Sequence, residues 1–145
     1  MKTYSPKAKD YQPEWYLIDA TDVPLGRLAT QVAHLLRGKQ RPLFAPHMTA
    51  GDHVVVLNAT KIRLSGRKLD QKTYYRHSGF PGGLTEVNAR TAIARRPRFV
   101  VEHAVKGMLP HNALGRAMLR RLRVYDGAVH PHQGQLKATT EEKAS

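Results

Sequence analysis

The sequence contains no cysteine, which excludes disulfides and thiolate zinc sites and is compatible with a reducing compartment. Long hydrophobic runs are also missing. The longest, VVVL at 54–57, is far short of the roughly 20 apolar residues that a membrane-spanning helix needs. The start, MKTYSPKAKDYQPEW, lacks the apolar stretch of a secretory signal, so the chain reads as a soluble cytoplasmic protein with no membrane partner. Acidic residues are scarce: 11 Asp and Glu stand against 24 Lys and Arg, a net charge of +13. With a pI near 10.4, this is the electrostatic footprint of a polyanion binder. The basic residues are spread along the whole chain and do not line one amphipathic helix opposite bulky apolar groups. That distribution favours nucleic acid over a membrane surface.

What is present is enough for one folded unit. A chain of 145 residues, 41% of them hydrophobic, can bury most of its unfolded surface in a single core. The expected organisation is an extended N-terminal arm at 1–13, one α/β domain at 14–127 and a polar C-terminal tail at 128–145. No internal repeat or linker divides it further.

The densest unopposed charge lies in VKGMLPHNALGRAMLRRLRVY, 105–125. Asn112 can cap a helix there, and Leu114, Met118 and Leu122 recur at the spacing of one buried helical stripe. Arg116, Arg120 and Arg123 fall on another face, Arg121 widens it, and no carboxylate lies between Lys106 and Tyr125. Like charges at helical spacing repel by a few tenths of a kcal/mol per pair, so the fold gains nothing from them and an anionic partner is implied.

Taken in order, WYLID at 15–19 predicts a strand. Leu25, Leu28, Ala29, Val32, Leu35 and Leu36 predict a helix ending at Gly38. DHVVVLN at 52–58 predicts a second strand buried on both faces, as in a parallel sheet, joined to the first by a right-handed crossover. The intervening loop opens with Arg37, Lys39 and Arg41. KIRLSGRKLDQKTYYR, 61–76, carries Lys61, Arg63, Arg67, Lys68, Lys72 and Arg76 against a single acid, Asp70. Ile62 and Leu64 alternate with Lys61 and Arg63, which predicts a strand with one wet, basic face. Tyr74, Tyr75 and His77 beside Arg76 can stack on unpaired bases, although one tyrosine is expected in the core. SGFPGG at 78–83 predicts a turn, Thr85 a helix cap for 85–95, and Pro97 the first turn of another helix whose buried stripe is Val101, Ala104, Val105 and Met108. Arg95, Arg96 and Arg98 cluster at the junction of these two helices. A short edge strand is expected at 124–126.

Enzymatic chemistry finds little support. The turn ATDVPLGRL has one glycine and cannot form a glycine-rich phosphate cradle. Asp19, Asp22 and Asp52 could mark a catalytic site at strand ends, but such aspartates more often cap turns. The eight histidines are scattered, and His130 and His132 have no adjacent cysteine or carboxylate to complete a metal site. A small phosphoryl-transfer or hydrolytic enzyme therefore stands as a third reading, behind a general nucleic-acid-binding protein.

The motifs DATDVPLGRLAT, GDHVVVLNA, KLDQKTYYRHSGFPGG, ARRP, EHAVKGMLPHNALGRAMLRRLRVY and HPH resemble the bacterial form of the L-thirteen family of large-subunit ribosomal proteins. The likeness covers about 15–132. It implies a three-layer α/β/α domain around a mainly parallel four-stranded sheet. It also implies a non-enzymatic role: binding 23S ribosomal RNA early in large-subunit assembly and remaining beside neighbouring large-subunit proteins, with no cofactor, metal or small-molecule substrate. The RNA-contacting positions carried over are Arg27, Arg37, Lys39, Arg41, Arg67, Lys68, Lys72, Tyr75, Arg76 and His77, then Lys106, Arg116, Arg120, Arg121 and Arg123. Lys61 and Arg63 join them from the basic stretch described above.

Overall fold

The VVVL run is the centre of the molecule. In the computed structural model, which describes residues 2–136, it lies within β2 (His53–Leu57), flanked by β1 (Trp15–Asp19) and β5 (Leu122–Val124) in the order β1, β2, β5. Both pairings are parallel, with Tyr16 opposite Val54 opposite Leu122 and Leu17 opposite Val55 opposite Arg123. Side chains alternate between sheet faces. Ile18, Val54, Val56, Leu122 and Val124 therefore share one face, and all belong to the core or pack on it. Leu17, Val55 and Arg123 share the other. There Trp15 stacks on His53 at 4.4 Å and leans on His132 at 5.2 Å, while Leu17 stays 49% exposed.

Helix α1 (Leu25–Arg37) forms where the 3.6-residue period required it, and Leu25, Leu28, Ala29, Val32, Ala33 and Leu36 are all buried. Gly38 ends it in the left-handed region at φ 78°, donating its N–H to the carbonyls of His34 and Leu35. Helices α3 (Ala89–Arg95), α4 (Pro97–Met108) and α5 (Ala113–Leu119) contribute to the same core. The short α2 (Lys68–Gln71) precedes an antiparallel hairpin of β3 (Thr73–His77) and β4 (Leu84–Asn88).

Several expectations are corrected. The fold is α/β with a parallel sheet, but three strands share that sheet, and β3 and β4 pair only with each other. The expected strand at 61–64 is absent. Asn58, at φ 57°, leads into a single 3-10 turn at Ala59–Lys61, and Arg63 then makes one bridge to Pro24. The bridge is made by the Leu25 N–H on the Arg63 carbonyl and the Arg63 N–H on the Val23 carbonyl. Thr85 lies in β4 and caps nothing; the cap of α3 is Asn88, whose side chain accepts the N–H of Arg90. The buried stripe of α4 is Pro97, Val100, Val101 and Val105, whereas Ala104 is half-buried and Met108 is 45% exposed. The last strand starts two residues earlier than expected.

The arm is not wholly extended. A 3-10 turn at Ala8–Asp10 is held by Asp10, which accepts from the Tyr4 hydroxyl at 2.6 Å and the Lys7 N–H at 2.8 Å. Tyr11 then donates to the Leu43 carbonyl at 2.5 Å. Of the expected tail, the Tyr125 hydroxyl and His132 Nε2 meet at 2.8 Å; 137–145 lie outside the described residues.

Candidate nucleic-acid interface

The arginine-rich stretch is not one helix. Asn112 caps α5 as expected, accepting the Gly115 N–H at 2.9 Å, but the helix stops at Leu119 with Arg120 as its C-cap. From Leu122 the period changes to two, and the free edge of β2 captures Leu122 and Val124 as a strand. Arg116 and Arg120 therefore stand on the helix end while Arg123 stands on the sheet. The turn still brings them together. With Lys106 and His111 they line a cleft of about 620 Å³ that contains one acid, Glu102, over an apolar floor that includes Leu109 and Leu119. Arg121 is turned elsewhere and donates to the Gly51 carbonyl.

A second basic surface joins the start of α1 to the segment leading into α2. Arg27, Arg63 and Lys68 line one cleft of about 300 Å³, and Lys68 and Lys72 line its neighbour of about 220 Å³. Lys68 Nζ donates to Ser65 Oγ at 3.0 Å, and Lys72 Nζ sits 5.2 Å from the centre of the Tyr74 ring. Lys61 and Arg67 are exposed on the flanks of this segment.

The loop after α1 divides its cations. Lys39 is exposed, and Arg37 lies 5.8 Å over the Phe44 ring. Arg41 pairs with Asp52, which is fully buried and also accepts from Gln40 Nε2 at 2.6 Å and the Glu14 N–H at 2.9 Å. Arg41 and Arg121 were expected to be RNA contacts, but the structure engages both guanidinium groups internally.

On the hairpin, Tyr74 is buried in the core and Tyr75 is 67% exposed, so the paired tyrosines divide as alternation requires. His77 Nδ1 accepts the Gly79 N–H at 2.9 Å. Arg76 faces the same groove as Arg95 and Arg96, two residues absent from the expected contact set. Their visible signal was the ARRPR run at the α3–α4 junction.

Three ion pairs occur among the described residues: Arg41–Asp52, Arg90–Asp70 and Arg98–Asp126. Only the first involves an expected contact residue. Among the described residues, the other candidate lysines and arginines have no carboxylate within ion-pair distance, and apart from Arg121 on the Gly51 carbonyl they leave a strongly positive surface.

Two of the three strand-end aspartates, Asp19 and Asp52, have structural side-chain partners, whereas Asp22 occupies a turn at φ 57°. Asp19 accepts from Asn58 Nδ2 at 2.9 Å and from the Thr21 N–H and hydroxyl, and these hydrogen bonds lower its carboxyl pKa to about 2. Asp52 is enclosed by the loop as described. Among the described residues, no three His, Asp or Glu side chains gather as metal ligands would, and no helix is long and apolar enough to cross a membrane.

Comparison with known proteins places the chain in a family. A family model described as "Ribosomal protein L13" matches residues 13–131. The chain is 58% identical over 135 residues to "Large ribosomal subunit protein uL13" of Frankia casuarinae, covering 93% of this chain and 92% of that protein. It is 54% identical over 135 residues to the protein of that name from Heliobacterium modesticaldum, covering 93% and 94%. Identity to the Syntrophomonas wolfei protein is 52% over 143 residues, covering 99% of each chain. With the family match spanning most of the sequence, and relatives above half identity aligned over nearly its whole length, the chain belongs to the ribosomal protein L13 family.

Proposed function

We propose that this chain is a cytoplasmic, non-enzymatic component of the large ribosomal subunit that binds 23S ribosomal RNA and acts early in subunit assembly. The observation that carries the reading is the set of cations, without ion pairs among the described residues, on separate faces of one core. Lys106, Arg116, Arg120 and Arg123 line one cleft, and Arg27, Arg63, Lys68 and Lys72 line two adjoining clefts elsewhere. A protein that offers several basic surfaces holds different RNA segments in a fixed mutual arrangement. Arginine supplies bidentate phosphate geometry and lysine a point charge. Phosphate contacts position the RNA, while its tertiary shape supplies specificity. The 14–127 domain is the scaffold, with the 1–13 arm and the stretch from 128 as extensions available to neighbouring large-subunit proteins.

The test is filter binding of 23S ribosomal RNA against an equal length of unrelated structured RNA across a salt series. A preference of roughly 4 kcal/mol or more is expected, in the range of specific nucleic-acid complexes. Replacing Arg116, Arg120 and Arg123 by alanine should weaken binding and flatten the salt dependence without unfolding the chain. Equal affinity for both RNAs, with the same salt slope, would make the protein a general nucleic-acid binder. Omitting the chain from a subunit reconstitution should stall an early particle if the assembly role is right.

A further inference from the structure

We infer that the groove between the β3–β4 hairpin and the α3–α4 junction is a binding site for one unpaired RNA nucleotide, its base stacked on Phe99 and its flanking phosphates held by Arg76, Arg95 and Arg96. The inference rests on the RNA-binding reading and joins Arg76, an expected contact, to Arg95, Arg96 and Phe99, which lie outside the expected set. The groove has a volume of about 270 Å³, and its walls include Tyr74, Val87, Ala92 and Phe99. That is below the usual size of a cofactor pocket and suits a single flat group. A duplex cannot enter it, but an extruded base can.

The floor is preorganised. Tyr74 meets Phe99 edge-on at 5.5 Å, and His103 meets both rings at 5.3 and 5.4 Å. Three mutually braced rings fix the plane of Phe99, yet Phe99 remains 42% exposed, so part of its surface is available for stacking. Exposed aromatic surface beside positive charge is the usual platform for unstacked bases. Arg76 reaches the groove from β3, Arg95 from the last turn of α3 and Arg96 from the residue joining the helices. All three are exposed, and none has a carboxylate within ion-pair distance among the described residues. Glu86, paired with Tyr75 across the hairpin, does not line the groove, whereas Arg76 and Thr85 do. The groove is therefore apolar at its base and cationic at its rim, which complements a nucleotide better than an apolar peptide.

The experiment uses the full chain and 23S ribosomal RNA in the salt series above. Phe99→Leu keeps an apolar side chain against Tyr74 but removes the stacking plane, and it should weaken binding at least fivefold, the low end for loss of one base stack. Phe99→Trp should bind within twofold of the parent. The double variant Arg95→Gln, Arg96→Gln should lower the slope of log affinity against log salt by about 0.7 for each phosphate released. Binding of Phe99→Leu and of the glutamine variant within twofold of the parent would overturn the site, as would equal losses in Phe99→Leu and Phe99→Trp. If those variants bind normally while the Arg116, Arg120, Arg123 variant loses affinity, this groove fails and the RNA-binding reading stands. If that variant also binds normally, the broader reading fails.

Discussion

Arg41 should be a stability residue and not an RNA contact, and Arg41→Ala separates the two roles. Its side chain is 22% exposed and reaches a carboxylate with no exposure at all. Removing one partner of a fully buried pair costs about 3–5 kcal/mol, because the other charge is left uncompensated. Here the cost should be smaller. Asp52 keeps the Gln40 amide and the Glu14 N–H as donors, and water can reach the position that Arg41 vacates. What is lost is one charge-assisted hydrogen bond, about 1.5–3 kcal/mol. With a urea slope of about 2 kcal/mol per molar, the unfolding midpoint should fall by roughly 0.8–1.5 M. Trp15, the only tryptophan, sits against His53, the neighbour of Asp52, and gives the fluorescence signal. RNA affinity, measured where the variant remains folded, should stay within about twofold of the parent. An unchanged midpoint combined with a large loss of RNA affinity would refute the assignment and return Arg41 to the interface.

Two further outcomes are expected. A Cβ at Gly51 would collide with the Leu36 carbonyl at the end of α1, so Gly51→Ala should destabilise by about 3 kcal/mol, the upper range for forcing atoms into a packed site; an unchanged urea midpoint would show that the backbone can move apart. Burial, chiefly, holds His53 below the ordinary histidine pKa, with Arg121, Arg123 and His132 acting in the same direction and Asp52 against it. Because the unfolded chain then binds the proton more readily, the stability contributed by neutral His53 is complete above about pH 6.5 and is lost as pH falls through the lower folded value. Proton NMR of the His53 ring should give a midpoint below about 6.5, and a higher one would contradict the burial argument.

Elements whose signal is local were legible in the chain. The α1 stripe, its Gly38 stop, the buried VVVL strand and the Asn112 cap all follow from side-chain period and backbone chemistry within a few residues. The errors arose where a partner distant in sequence decided the outcome. Leu114, Met118 and Leu122 do fit a helical period, but Leu122 also alternates with Arg123 and Val124, and pairing with β2 selects the strand. The Gly-containing turn at 78–83 sits between Thr-, Tyr- and Val-bearing segments, a hairpin signal that competes with the helical period of 85–95 and wins through residue 88.

The candidate site shows the same division. Net charge, the absence of cysteine and the lack of opposing acids were enough to point to a polyanion, because those properties do not depend on how the chain folds. The sequence alone could not distinguish free cations from those already engaged: Arg116 and Arg121 lie five residues apart, yet one lines the cleft and the other binds the Gly51 carbonyl. Nor could it show that Arg76, Arg95 and Arg96 meet at one groove, since that convergence requires the hairpin to fold against the α3–α4 junction. Composition and period pointed to a polyanionic partner and determined most of the elements. Tertiary structure decided which charges are available to that partner, because a charge's neighbours are set by the packing of segments far apart in the chain.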